Sequence, residues 1–368
     1  MIQKPDQDFA TAPSDVAQRA HAVTQEQGVC YIGIDLGTSR CAISSSNGSR
    51  ESVGSVVGWP RDTVSHKMFG DQPLFGDSAL EHRLSLDVVY PLADGNLRFP
   101  GLGGSDRDDA RKAASELLKH LIDLARPRTD QLRYAVIGAP SKATKENKQA
   151  IIDVAQETGL DGVMVVSEPF SVAYGIEALD DAIVIDIGAG TIDLCRLHGT
   201  LPEDDDEITL HKAGNHVDAE LARLIEVKYP HAQFNLNMIK KAKERFSGAI
   251  EAASDRAVVR FPVNGKPTDL DITDQMQQAV GMIIPEILQA IQTLVSSFDP
   301  EFQHRIRSNV VVSGGGSQIY GLRKALETGM QEIGGGNVVI VEEPVFAGAN
   351  GALKLAREMP QRYWEKLR

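Results

Sequence analysis

The sequence lacks the features that mark membrane and secreted proteins. No run of about 18 apolar residues occurs, so no membrane-spanning helix is predicted. Residues 1–28 lack the apolar core of a signal peptide, and their polar composition predicts a mobile N-terminal extension. Only three cysteines occur, Cys30, Cys41 and Cys195, all inside apparent strands, where buried reduced thiols are expected. These absences favour a cytoplasmic protein that does not insert directly into a membrane.

The chain also lacks an excess of positive charge. It has 38 Lys and Arg against 51 Asp and Glu, a formal net charge of −13. Such a surface repels the phosphates of nucleic acid unless a local basic patch intervenes. One short basic cluster exists, between Lys240 and Arg245, and it is too small for a groove binder. We therefore expect no nucleic-acid partner.

Two common phosphate-binding motifs are missing as well. No GxxxxGKS/T sequence is present, which excludes a P-loop enzyme and its phosphate-binding lysine. No GxGxxG sequence stands between a strand and a helix, which excludes the usual dinucleotide fold. His211 and His216 have no neighbouring partners at metal-site spacing, so a zinc centre is not predicted.

What is present is an alternation of apolar strands and amphipathic helices, which predicts an α/β fold. Predicted strands cover 134–139, 163–166, 182–186, 192–197, 309–313 and 337–341, and predicted helices cover 107–124, 145–158, 276–298 and 347–358. Pro285 is expected to kink the helix over 276–298.

An internal repeat organises the chain. YIGIDLGTSRCAI and IVIDIGAGTIDLC each read as strand, Asp-x-Gly turn, strand, and they lie about 150 residues apart. The repeat predicts two related domains that face each other. We assign 29–165 plus 342–368 to the first domain, with an inserted subdomain near 55–100, and 166–341 to the second, with an insertion near 215–274.

The two turns carry the chemistry of a phosphate site. Successive backbone N–H groups in a glycine-rich turn bind phosphate oxygens, and the preceding carboxylates, Asp35 and Asp186, are placed to bind Mg²⁺ through water. One Asp-x-Gly-Thr turn is common in ordinary hairpins, but two at domain spacing predict a clamp for the β- and γ-phosphates of ATP or ADP. The predicted phosphate contacts are Gly37, Thr38 and Ser39 in the first turn and Gly188, Gly190 and Thr191 in the second.

Two further segments complete the predicted site. Gly314, Gly315 and Gly316 follow an apolar strand, and their backbone could lie flat against a nucleoside. The alternative is a strand-to-helix loop that needs unusual φ angles. Gly214, Asn215 and Asp218 begin a helix, where N–H groups also face anions.

Taken together, four segments resemble the superfamily of actin, DnaK chaperones and sugar kinases. They are Ile32–Ser39, Ser167–Gly175, Ile183–Leu194 and Val310–Gly321. Within it, SEPFSVAYGIEAL, GGGSQIYGL and VEEPVFAGANGALKLA resemble bacterial actins of the MreB type. SVVGWPRD, YPLADGN, KAGNHVD and MPQRYW are similar to the magnetosome-associated members of that group. The resemblance covers Val29–Arg368.

This resemblance implies an actin-like fold of four subdomains, ATP-dependent polymerisation and slow hydrolysis. It implies that Glu168 orients and polarises the attacking water, with Asp186 as its catalytic and metal-binding neighbour. Asp35 and Asp186 would be ligands of hydrated Mg²⁺, and Lys243 and Glu244 would contact ribose and adenine. The alternative for Glu168 is a purely structural residue at a helix N-terminus, where its charge suits the helix dipole. Both interpretations can hold together.

The implied function is a filament made of copies of this chain, which positions magnetosomes and is tethered through their membrane proteins. One alternative is an MreB-like or plasmid-segregating filament. MreB-type proteins often bind membranes through an amphipathic N-terminal helix, and residues 1–28 offer no such face. The other is a chaperone ATPase or a sugar kinase of the same fold, each of which usually needs a longer chain.

Overall fold

The computed structural model describes residues 28–247 and 256–367. The predicted extension 1–28 therefore lies, apart from Gly28, outside the described residues. The strands are β1 (Val29–Leu36), β2 (Arg40–Ser45), β3 (Arg50–Gly54), β4 (Val57–Pro60), β5 (Leu74–Phe75), β6 (Leu86–Val89), β7 (Leu92–Ala93), β8 (Asn96–Leu97), β9 (Leu132–Ala139), β10 (Gly162–Ser167), β11 (Ala182–Ile187), β12 (Ile192–Leu197), β13 (Glu207–Leu210), β14 (Val258–Val263), β15 (Lys266–Asp271), β16 (Val310–Ser313) and β17 (Val338–Ile340). The α-helices are α1 (Thr63–Phe69), α2 (Gly76–Glu81), α3 (Gly104–Leu124), α4 (Lys145–Glu157), α5 (Glu168–Ile176), α6 (Gly214–Lys228), α7 (Leu236–Phe246), α8 (Thr273–Gly281), α9 (Ile284–Ser296), α10 (Gln303–Arg307), α11 (Leu322–Gly329), α12 (Ala347–Glu358) and α13 (Gln361–Trp364).

Two five-stranded sheets form the centre of the molecule, and they repeat one topology. The first has the order β10-β9-β1-β2-β3 and the second β17-β16-β11-β12-β13. In each, the hairpin's first strand pairs antiparallel with the next strand and parallel with a later one. β1 and β11 are continuous apolar runs buried along nearly their whole length, as expected for strands covered on both faces. The predicted α/β fold of two related domains is confirmed; the exact boundaries stay a prediction.

The repeated topology places the two predicted turns at equivalent sites. Asp35 is the penultimate residue of β1, and Asp186 is the penultimate residue of β11. Each carboxylate therefore precedes the turn that follows its strand. The additional sheet β5-β4-β6 and the hairpin β14-β15 lie outside the two central sheets.

Two helices cross where the halves of the molecule meet. α5 follows β10 of the first sheet and leads to β11 of the second, and α12 follows β17 and packs on β1. A Cβ added to Gly351 of α12 would lie 1.8 Å from the Ser171 carbonyl oxygen of α5. The Ser171 hydroxyl donates a hydrogen bond of 2.9 Å to the Gly348 carbonyl. The two backbones are thus in direct contact, which only small residues permit.

The prediction of one continuous helix over 276–298 is wrong. The segment forms α8, ending at Gly281, and α9, beginning at Ile284, so the break precedes Pro285. Proline in the first turn of a helix costs nothing because its missing N–H would have no partner there. Among the described residues, the stretch 273–296 is long and apolar enough by composition to cross a membrane. Ile287, Ile291 and Leu294 of this stretch are buried in the core beside the second sheet, and Val280, Met282, Ile284 and Leu288 are partly buried against it.

Candidate active site

A cavity of about 610 Å³ lies between the two hairpin turns, the start of α6, helix α7 and the turn after β16. It collects almost every residue that the sequence predicted. The predicted residues lining it are Asp35, Gly37, Thr38, Ser39, Glu168, Asp186, Gly188, Gly190, Thr191, Gly214, Asp218, Lys243, Glu244, Gly314, Gly315 and Gly316.

Asn215 is the exception. It is exposed and does not line the cavity, since the first turn of α6 directs it outward. Its backbone N–H donates a hydrogen bond of 2.7 Å to the Ala189 carbonyl. The Asn215 N–H, which was predicted to face an anion at the helix start, is thus bonded to the second turn, and a ligand contact of Asn215 stays a prediction.

Three carboxylates crowd the floor of the cavity. Burial raises the pKa of Asp35 to about 7. Burial, followed by the charges of Asp35 and Asp193, raises the pKa of Asp186 to about 8. The pKa of Glu168 is held well above its usual range by burial and then by Asp35. The Glu168 Oε1 atom is buried without a hydrogen-bond partner. The arrangement disfavours three negative charges and suits a cation beside them.

These residues fit hydrated Mg²⁺. That ion keeps several waters and binds proteins through one or two carboxylates, here Asp35 and Asp186. Two glycines let the backbone pack closely on these carboxylates: a Cβ on Gly348 would lie 2.8 Å from Asp35 Oδ2, and one on Gly314 would lie 2.5 Å from Asp186 Oδ1. Over residues 28–247 and 256–367, no three His, Cys, Asp or Glu side chains are arranged to bind a metal directly.

A short hairpin that the sequence interpretation missed joins the two turns. Asp94 and Gly95, between β7 and β8, have φ angles of 49° and 70°. The Gly95 N–H donates a hydrogen bond of 2.6 Å to Thr38 Oγ1. A Cβ on Gly190 would lie 2.2 Å from Thr38 Oγ1 and 2.7 Å from the Asp94 Cα. The two phosphate-type turns therefore touch, and Gly190 is needed for that approach.

Asp193 is another residue that the sequence interpretation missed. Its Oδ1 accepts hydrogen bonds from the Ser141 backbone N–H at 2.8 Å and from Thr209 Oγ1 at 2.6 Å. Ser141 follows β9 of the first sheet, whereas Asp193 and Thr209 belong to the second. This fully buried carboxylate thus ties the two halves together below the cavity. A single Asp between Ile192 and Leu194 in an apolar strand was the signal available in the sequence.

The glycine turn after β16 has the unusual backbone that one interpretation requires, and its contact with a nucleoside stays a prediction. Gly314 has φ of 78°, a conformation that favours glycine, so the loop does need an unusual backbone. A Cβ on Gly316 would lie 2.2 Å from Ile187 Cγ2, so the turn packs directly on the end of β11. All three glycines also line the cavity.

The opposite wall carries the lysines of α7. Lys243 Nζ donates a hydrogen bond of 2.8 Å to the Gly214 carbonyl and lies 2.9 Å from Asp218 Oδ1. Burial raises the pKa of Asp218, and the Lys243 charge opposes that rise. Lys240, which was interpreted only as part of a basic cluster, donates a hydrogen bond across the cavity to Ser39 Oγ. It lay outside the predicted site because no motif includes it.

Comparison with known proteins places this fold and site in a family. The MreB/Mbl protein family model matches residues 29–363. The actin-like protein MamK of Paramagnetospirillum magneticum is 41% identical over 343 residues, which cover 93% of this chain and 96% of the relative. The structure of a MamK double helical filament aligns with a TM-score of 0.85 at 40% identity, over 90% of this chain and 100% of that one. A non-polymerising MamK mutant bound to AMPPNP aligns with a TM-score of 0.67 at 40% identity, over 90% and 99%.

Two sheets of the same topology enclose a cleft lined by carboxylates, which is the arrangement of an actin-like protein. The chain belongs to the MreB/Mbl family. Within that family it is similar to MamK over more than nine-tenths of its length. The resemblance to bacterial actins that was inferred from the motifs is confirmed.

Proposed function

We propose that this chain binds Mg²⁺ and ATP in the cavity, hydrolyses ATP slowly, and polymerises into filaments that position magnetosomes. The observation that carries the proposal is the pair of equivalent Asp-Gly turns facing one cavity. The relative solved with bound AMPPNP supports nucleotide binding, and the relatives solved as filaments support self-assembly.

Each half of the molecule has a defined task in binding. The backbone N–H groups of the two turns face the phosphates, and Asp35 and Asp186 hold the hydrated ion, which neutralises phosphate charge when it is bound. The turn Gly314–Gly316 offers a flat backbone surface to the nucleoside. Lys243 and Glu244 lie on the wall where ribose and adenine would be contacted.

In this proposal Glu168 orients the attacking water. Its Oε1 has no protein partner and lies at the cavity, so it can accept a hydrogen bond from that water. Phosphoryl transfer depends mainly on positioning and charge neutralisation, so a carboxylate need not be a strong base to act here. As the first residue of α5 after Ser167, Glu168 also suits the helix dipole.

The hydrolysis step is tested with Glu168→Gln, which keeps the shape of the side chain and removes its charge. We expect ATP-dependent pelleting to persist while phosphate release falls roughly 100-fold, in the range of a lost general base or water-positioning group. Glu177→Gln, at the exposed end of the same helix, is the matched control. Phosphate release from Glu168→Gln at the wild-type rate would remove Glu168 from the mechanism.

The assembly step is tested by sedimentation of the wild-type chain with ATP, with ADP and without nucleotide. We expect a pellet that depends on ATP. A chain that stays in the supernatant under all three conditions would favour the chaperone or kinase alternatives. Fluorescent tagging in the native cell should show lines that follow the magnetosomes. Lines that instead follow segregating plasmids would contradict the magnetosome role.

A further inference from the structure

Lys240 makes an unusual contact across the cleft. It projects from α7, on the wall formed by the second half of the molecule, and its Nζ donates a hydrogen bond to Ser39 Oγ in the first turn. The two residues are 201 positions apart in sequence. An ammonium group therefore spans the cavity but meets only a neutral hydroxyl at the far side.

Two other cations of the cavity wall, Lys243 and Arg40, have shorter ion pairs than Lys240 has. Lys243 is held by Asp218 at 2.9 Å and by the Gly214 carbonyl. Arg40 is turned toward exposed Asp77 at 3.5 Å. Within the described residues, the ion-pair partner of Lys240 is Glu244, which lies 3.9 Å away and has a side chain that is 59% exposed. A contact of that length with a solvated carboxylate is weak.

The electrostatics of the site agree with this geometry. Burial lowers the pKa of Lys240, and the charges of Lys243 and Arg40 lower it further against the opposite effects of Glu244 and Asp218. A second anion beside Nζ would relieve that penalty. Ser39 lies in the turn where the phosphates are expected, so the anion that reaches Nζ most directly is a phosphate of the nucleotide.

We propose that Lys240 is a polyphosphate ligand that exchanges the Ser39 hydroxyl for a phosphate oxygen of bound ATP and thereby holds α7 against the first turn. This inference rests on the proposed nucleotide site and assigns a residue to it. The chain has no P-loop lysine, and a flexible ammonium from the opposite wall supplies the same charge. A charge-assisted hydrogen bond to phosphate is stronger than the present bond to a hydroxyl.

The proposal predicts that Lys240 discriminates nucleotides by their number of phosphates. In Lys240→Met we expect the affinity for Mg²⁺ and ATP to fall roughly 10- to 100-fold, the loss of one hydrogen bond between charged groups. The affinity for AMP should change by less than about threefold, because the contact with the terminal phosphates is absent in AMP. Lys240→Arg should restore most of the ATP affinity, and raising the salt concentration should weaken ATP binding less in Lys240→Met than in the wild type.

The measurement is titration calorimetry of the full chain with ATP, ADP and AMP, each with Mg²⁺. Lys241→Met, the exposed neighbour on the same helix, is the matched control and should bind as the wild type does. Unchanged ATP affinity in Lys240→Met would overturn the proposal. Equal losses for ATP, ADP and AMP would also overturn it, since they would assign Lys240 to the sugar or to the fold. Failure of the wild-type chain to bind ATP would instead contradict the proposed function.

Discussion

The ionised carboxylates of Asp35, Glu168 and Asp186 lower the free energy of unfolding of the nucleotide-free protein. The variant Asp186→Asn, which removes one of these charges, should therefore be more stable than the wild type. The pKa of Asp186 rises from 3.8 to about 8 on folding. Because folding raises the pKa of this carboxyl, the folded state binds its proton more tightly than the unfolded chain does. The free energy of unfolding is therefore highest at low pH and falls as the pH rises from about 4 through 8. At about 1.4 kcal/mol for each tenfold change in the proton equilibrium, ionising this carboxyl in the fold costs roughly 6 kcal/mol relative to the unfolded chain.

The variant should recover part of that cost. Asn has the same shape and no charge, but its amide must also be desolvated, so we expect a gain of ~1–3 kcal/mol at pH 8. That corresponds to a rise in Tm of roughly 1–4 °C for a protein of this size. At pH 5 the folded wild-type carboxyl is already protonated, and the difference should shrink by more than half.

The assay is thermal unfolding of the nucleotide-free chain at pH 5 and pH 8, repeated with Mg²⁺ and ATP. The wild type should gain stability from Mg²⁺ and ATP at pH 8, because the ion compensates the carboxylates, while Asp186→Asn should gain less. Asp108→Asn, an exposed site on α3, is the control. A variant no more stable than the wild type at pH 8, or a gain independent of pH, would refute the reasoning.

The remaining predictions concern the frame around the site. Gly351→Ala forces a methyl group into contact with the Ser171 carbonyl and should destabilise the chain by about 3 kcal/mol in denaturant titration. The control Gly281→Ala, whose added methyl group meets nothing within 4 Å, should not be destabilised. Equal stabilities of the two variants would contradict the close crossing of the two helices. Trp364→Ala removes a fully buried ring stacked 4.8 Å from Tyr134 and should cost ~3–5 kcal/mol by the same measurement; a loss below about 1 kcal/mol would contradict its core role.

The fold followed from local patterns where those patterns were strong. β1 and β11 were predictable because each is an apolar, β-branched run that ends in Asp-x-Gly, and the repeat identified their common role. The sequence analysis predicted a kink at Pro285, because a proline inside an apolar run indicates a kinked helix, but the structure has a break before that residue. The structure starts a new helix there instead, so the proline lies in a first turn.

The site was predictable where it is built from turns and less so where tertiary contacts build it. Gly314 needs a positive φ, and Gly37 and Gly188 lie where a Cβ would be 2.4 Å from the Arg40 carbonyl and 3.1 Å from the Thr191 carbonyl, so the residue type itself signals these turns. Lys240 and Asp193 acquire their partners from segments on the other half of the molecule. Ser39 lies 201 positions from Lys240, and Ser141 lies 52 from Asp193. No local pattern encodes such pairings, which depend on how the two sheets face each other.

The two central sheets have the same topology, so the cavity between them is nearly symmetric, whereas the two ends of a nucleotide differ. The register shows where the symmetry is broken: Asp35 pairs with Ala42 across its hairpin, whereas Asp186 pairs with Asp193. The second hairpin therefore carries two acids side by side where the first carries one. Two side chains of its turn are also smaller, with Ala189 and Gly190 in place of Thr38 and Ser39. The two hairpins therefore present different charges and different hydroxyl groups to the cavity between them.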